Sequence, residues 1–138
     1  MALIEWKPSY SVGVPLFDRQ HQKLFQLINQ LHEAMGSGQA KDQLAPIVES
    51  LSQYTKTHFR EEEEALARAG YTKLAMHKAL HREFEAKIDG FGKDLKEGKL
   101  GLSIKVMTFL NDWLAAHILK IDREYSPLLT ANPVVAAR

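Results

Sequence analysis

The 138-residue chain contains no cysteine. Disulfides, iron–sulfur clusters and thiolate-bound zinc are therefore excluded, and any metal must be held by histidine and carboxylate. The chain also lacks an excess of either charge: 18 Lys and Arg stand against 17 Asp and Glu, a net +1. That balance carries no nucleic-acid or membrane footprint. No apolar run approaches spanning length, so no membrane insertion is expected. The start, MALIEWKPSY, has no basic stretch followed by an apolar one, so no signal peptide is expected and a cytoplasmic protein is. Strand patterns, sequence repeats and low-complexity segments are missing too.

What is present is four long helical patterns, which predict an all-α protein. The first runs from about Asp18 to Met35, with the stripe Phe17, His21, Leu24, Ile28, Leu31, Met35. The second runs from about Gln43 to Arg68, with Pro46 near its first turn and the stripe Ile47, Leu51, Tyr54, His58, Glu62, Ala65. The third runs from an N-cap at Thr72 to Glu97, with the stripe His77, His81, Phe84, Ile88, Phe91, Leu95. The fourth, about Ser103 to Ile121, is apolar nearly all round. An arm with Trp6, Pro8, Gly13 and Pro15 precedes the helices, and a short tail with Pro127 and Pro133 follows. Short loops between long helices imply an antiparallel up-down-up-down four-helix bundle, one domain over residues 1–138.

The stripes carry polar residues where a core wants Leu or Val. A buried imidazole or carboxylate without a partner is costly, so several together need a common one. His58 and Glu62 are four apart, as are His77 and His81, and each pair shares a helix face on which two ligands can close on one metal. His117 and Asp122 are five apart and would diverge by roughly 140° in a regular helix. Asp122 is therefore expected at a frayed or tightened helix end. In an antiparallel bundle the start of helix one, the end of two, the start of three and the end of four lie at one level. His21, His58, Glu62, His77, His81, His117 and Asp122 can thus converge. His32 shares the face of His21 but sits about 16 Å further along the axis, outside the cluster. In the run Glu61-Glu62-Glu63-Glu64, Glu63 and Glu64 read as solvated. Spacing favours Glu62 over Glu61 only slightly.

These residues resemble the hemerythrin family, in its single-domain bacterial branch. The matching pieces are Asp18-Arg19-Gln20-His21, His58-Phe59-Arg60-Glu61-Glu62, His77-Lys78-Ala79-Leu80-His81, and Trp113 to Ile118 with His117, followed by Asp122. Trp6 and Val12-Gly13-Val14 look like the same branch. Ala65, Leu66 and Thr72 depart from the common pattern without touching a ligand. The resemblance implies two non-haem irons (Fe2+/Fe3+) with an oxo or hydroxo bridge. His77, His81 and His117 would hold one iron, His21 and His58 the other, and Glu62 rather than Glu61 would span the two with Asp122. It also implies reversible binding of dioxygen at the two-histidine iron, in a pocket walled by Trp113, Leu114 and Ile118.

The expected function is oxygen storage, transport or delivery, without an enzymatic activity. The charged outer faces suggest a monomer, and an oxygen-using protein partner is unidentified. The rival readings are a di-iron peroxidase or nitric-oxide scavenger, an oxygen or redox sensor acting through a partner, and a structural or zinc-binding bundle.

Overall fold

The computed structural model describes residues 4–131. A short 3-10 turn, Pro8–Tyr10, lies in the N-terminal arm. It is followed by α1 (Pro15–Gly36), α2 (Ala40–Ala69), α3 (Leu74–Lys96) and α4 (Leu102–Ala116), then a five-residue π-helical turn (His117–Ile121), then α5 (Asp122–Thr130). No strand occurs among the described residues. Neighbours along the chain pack side by side, and α4 returns to α1, closing the expected antiparallel bundle.

Local chemistry explains the boundaries. Pro15 opens α1, where its fixed φ suits a first turn and its missing N–H costs nothing. The helix therefore starts three residues before the position its apolar stripe suggested. Gly70 ends α2 at φ 72°, and the amides of Gly70 and Tyr71 satisfy the carbonyls of Ala67 and Leu66. Pro46 is the seventh residue of α2, not part of its first turn, and it is exposed on the outer side. Thr72 does not cap α3: it lies inside the turn closed by Leu74 N–H on the Tyr71 carbonyl, and the helix begins after Lys73.

The fourth helical run does not end at Ile121. It continues as α5 despite Pro127, which removes a helix hydrogen bond at a cost of about 3 kcal/mol. Tyr125 and Leu129 are both fully buried, and each contributes about 1.5–3 kcal/mol by leaving water, enough to offset the proline. The tail expected after this point, with Pro133, falls outside the described residues.

Two apolar clusters result. The larger fills the bundle from Leu24 and Leu51 to Leu110, Leu114 and Ile118. The smaller joins Val12, Val14, Phe17, Ala65, Leu66, Tyr125 and Leu129. The arm closes over this second cluster. Asp18 accepts from Val12 N–H at 2.9 Å and from the Ser11 hydroxyl, and Ser126 donates to the Val12 carbonyl at 2.7 Å. Gly13 stands at φ 76° where the arm crosses α5, and a Cβ there would meet Thr130 Cγ2 at 2.5 Å.

Candidate metal centre

Between the two apolar clusters lies one polar layer. Helical spacing puts His21 on α1, His58 and Glu62 on α2, His77 and His81 on α3, and His117 and Asp122 on either end of the π turn. None is more than 3% exposed. The π turn corrects the expectation for Asp122. The helix neither frays nor tightens; it widens by one residue, and Asp122 N–H donates to the His117 carbonyl five residues back. The wider turn carries Asp122 to the side His117 already faces. Their Nε2 and Oδ1 atoms are 2.9 Å apart.

All five histidines turn Nε2 toward the centre, and the two carboxylates divide their oxygens. Glu62 Oε1 lies 2.7 Å from His77 Nε2 and 3.1 Å from His81 Nε2, while Oε2 lies 3.5 Å from His58 and 3.6 Å from His21. Asp122 repeats the pattern, with Oδ1 at 3.1 Å from His77 and Oδ2 at 3.1 Å from His21. His77, His81 and His117 thus share one set of oxygens, and His21 and His58 face the other. The donor atoms fall into two compact groups that share Glu62.

The donors suit a metal better than they suit each other. Both nitrogens of His21 and both oxygens of Asp122 are buried without an aligned hydrogen bond, although contacts of about 3 Å surround them. Lone pairs meeting at one point, rather than donors meeting acceptors, describe a coordination set of neutral imidazole and carboxylate. Without a metal, the carboxylates hold the cluster together by stabilising charge on imidazoles. Burial opposes charge on His21 and His77, yet Asp122 and Glu62 outweigh it and raise them to about 9 and about 10. Burial also opposes ionisation of Glu62 and Asp122. The histidines outweigh it and hold both carboxyls well below their ordinary values. Burial prevails at His58, lowering it to about 3, so that imidazole stays neutral.

A second layer of contacts was not visible in the sequence. Gln20 Oε1 meets His58 Nδ1, and the Gln20 amide donates in turn to Glu61. Glu63 Oε2 lies 2.7 Å from His81 Nδ1 and 2.7 Å from the Arg82 guanidinium. Glu63, expected in solvent, is 8% exposed because those two partners draw it in. Tyr125 donates to Glu62 Oε2 at 2.8 Å. Burial and the nearby carboxylates push its hydroxyl well above the ordinary tyrosine value, so it keeps its proton. The sequence did carry one usable signal for Glu63, an arginine one residue after His81.

Aromatic plates brace the imidazoles. Phe59 stacks on His81 at 3.8 Å between centroids, and Trp113 stacks on His117 at 4.2 Å. Trp113 therefore stands on the three-histidine side. Leu114 is buried beside Leu24, Leu51 and Trp113 around an apolar cavity of about 10 Å³, and Ile118 is buried in the same core. Glu61 is half-buried and outside the donor groups, Glu64 is exposed, and His32 is partly exposed and outside them too.

An antiparallel helical bundle with a buried layer of five histidines and two shared carboxylates defines a class, the four-helix-bundle metal proteins. Within it, the chain belongs to the hemerythrin family: the hemerythrin HHE cation binding domain matches residues 12–129. It is 33% identical to the bacteriohemerythrin of Clostridium acetobutylicum, over 87% of this chain and 96% of that one. It is 30% identical to the bacteriohemerythrin of Methylococcus capsulatus, over 95% and 100%. A crystal structure of wild-type hemerythrin superposes with a TM-score of 0.85 at 29% identity, covering 94% of this chain and 99% of that one. No helix among the described residues is long and apolar enough to cross a membrane.

Proposed function

We propose that the chain binds dioxygen reversibly at a pair of non-haem irons, for storage, transport or delivery. His77, His81 and His117 would hold one iron, His21 and His58 the other, and Glu62 and Asp122 would be shared between them. The observation that carries this reading is the division of each carboxylate, one oxygen toward each histidine group. The three-histidine side has five protein donors by this count and the two-histidine side four. The two sides would therefore hold their metals unequally, with fewer protein donors on the two-histidine side. Bound there, an iron pair would supply the electrons for reversible dioxygen binding.

The polypeptide does the rest. Stacked Phe59 and Trp113 fix imidazole planes, Tyr125 holds the orientation of Glu62, and the two apolar clusters keep water from both ends of the layer. Leu114 and Ile118 belong to that dry wall, which strengthens local electrostatics and blocks side reactions.

Purified, iron-replete protein should contain two irons per chain. It should show oxo-bridged charge-transfer bands in the near ultraviolet and no haem Soret band. One metal per chain, or zinc taken in preference to iron, overturns the proposal. Steady turnover of peroxide or nitric oxide would replace oxygen carriage with an enzymatic role at the same site.

A further inference from the structure

The seven inward groups already give the two sides unequal numbers of histidines, and the residues behind them differ as well. On the two-histidine side, His58 Nδ1 meets an amide, Gln20 Oε1. The direction of that amide is not free. Glu61 is a carboxylate that only accepts, so it takes the Gln20 N–H and turns the Gln20 oxygen toward His58. His58 Nδ1 must then carry the proton, leaving the Nε2 lone pair toward the centre. On the three-histidine side, His81 Nδ1 meets a carboxylate, Glu63 Oε2 at 2.7 Å. Arg82 holds that carboxylate at 2.7 Å and is itself shared with Glu85. His81 is likewise fixed as an Nδ1 donor. Gln20 and Glu63 are each 8% exposed, so neither contact is diluted by solvent.

A carboxylate accepting from the outer N–H of an imidazole makes the inner nitrogen a stronger donor, and a neutral amide does so less. Stronger donors favour the higher oxidation state of a bound metal. We infer that Gln20 and Glu63 are positioning residues that make the two halves of the site electronically unequal, with the Glu63–His81 half the more readily oxidised. This rests on the di-iron reading above. It adds a division of labour: the half backed by Glu63 gives up its electron more easily, and the half backed by Gln20 stays the milder electron donor.

The test exchanges the two chemistries. Glu63→Gln turns the carboxylate behind His81 into an amide. The double exchange Gln20→Glu with Glu61→Gln keeps net charge and the chain of hydrogen bonds, and puts a carboxylate directly behind His58. Zinc-loaded protein, which is redox-inert, is read first by nitrogen NMR of the imidazole N–H groups. Glu63→Gln should move the His81 Nδ1–H signal and leave that of His58; the double exchange should do the reverse. Spectroelectrochemical titration of the iron-loaded proteins follows. Glu63→Gln should raise the potential of the first oxidation, and the double exchange should lower that of the second. Iron retention should weaken by about ten- to a hundredfold in Glu63→Gln. Protein that binds a single metal refutes the di-iron reading itself. Two irons retained with both potentials unmoved in either variant overturn the inference and leave the di-iron reading standing. If Glu63→Gln does not retain two irons, the double exchange decides alone.

Discussion

Glu62 and Glu61 are adjacent residues of one charge run, and the structure assigns them very different work. Glu62 is fully buried, touches His77 and His81 with one oxygen, and accepts from Tyr125 with the other. Replacing it by Ala leaves Asp122 as the one carboxylate inside the layer and strips the tyrosine hydroxyl of its acceptor. Breaking a buried ion pair in this way costs about 3–5 kcal/mol. For a chain of this length that is a fall in Tm of roughly 10–20 °C. Glu61 is half-buried and accepts a single hydrogen bond, from Gln20. Its loss costs about 0.5–1.5 kcal/mol, or roughly 2–6 °C. On the proposed di-iron reading Glu62→Ala should also lose iron, because Glu62 would be a shared ligand, whereas Glu61→Ala should retain both. The assay is iron per chain by chelator absorbance, beside Tm by circular dichroism in iron-loaded and metal-free samples. Equal losses in the two variants, or a larger loss at Glu61, would refute the choice of bridge and the reasoning from carboxylate geometry.

Other expectations are as direct. His32→Ala should keep two irons, and loss of either overturns the exclusion of His32 from the site. Leu114→Ala and Leu114→Asp should both keep two irons and autoxidise faster than the parent, Asp the faster, because water or a polar group enters the dry wall. Decay of the oxygenated band in air-saturated buffer is the measurement, and unchanged rates with iron intact would remove Leu114 from the pocket. Metal-free protein should be most stable near the ordinary histidine value of 6.5. His21 and His77 are raised to about 9 and about 10, so their contribution is complete below 6.5 and gone once pH has risen through those values. Glu62 and Asp122 are lowered, so theirs is lost on acidification through the carboxylate range, and His58, lowered to about 3, subtracts stability as pH falls below 6.5. A Tm that climbs from about pH 7 to about pH 10 would contradict these signs.

The inward residues were legible because each stands where an apolar stripe should continue. His58, Glu62, His77 and His81 interrupt the pattern with polar groups at helical spacing, and the antiparallel topology does the rest. The five-residue step from His117 to Asp122 was legible as an irregularity but not in its sense: spacing shows that a turn must change, and cannot show that it widens. Glu63 was hidden by its own neighbours, since a run of four glutamates reads as a solvated face until Arg82 and His81 are seen across the interface. Gln20 was hidden differently. It precedes His21 and lies off the stripe, and its role depends on an amide direction that only Glu61 sets. Pro127 masked α5, because a proline soon after a frayed or tightened helix end reads as the end of a helix.

Burying five imidazoles and two carboxylates between apolar clusters costs less when opposite charges face each other. Against burial, Asp122 and Glu62 raise His21 and His77, and Glu62 and Glu63 raise His81, so near neutral pH ionised carboxylates face protonated imidazoles. The Nε2 atoms that face the centre are the ones a cation would take, so metal binding would release protons from the layer. His58 stands apart, neutral throughout and fixed from behind by Gln20. The π turn completes this arrangement. Widening the helix by one residue after His117 rotates everything downstream, so that Asp122, Tyr125 and Leu129 share one inward face. One of them meets the histidines, the next donates to Glu62, and the last fills the cluster that seals the layer from above. A regular α-helix from Leu102 to Thr130 would turn that face roughly 100° away. It would separate the second shared carboxylate, the tyrosine that orients the first, and the apolar cap from the site in a single step.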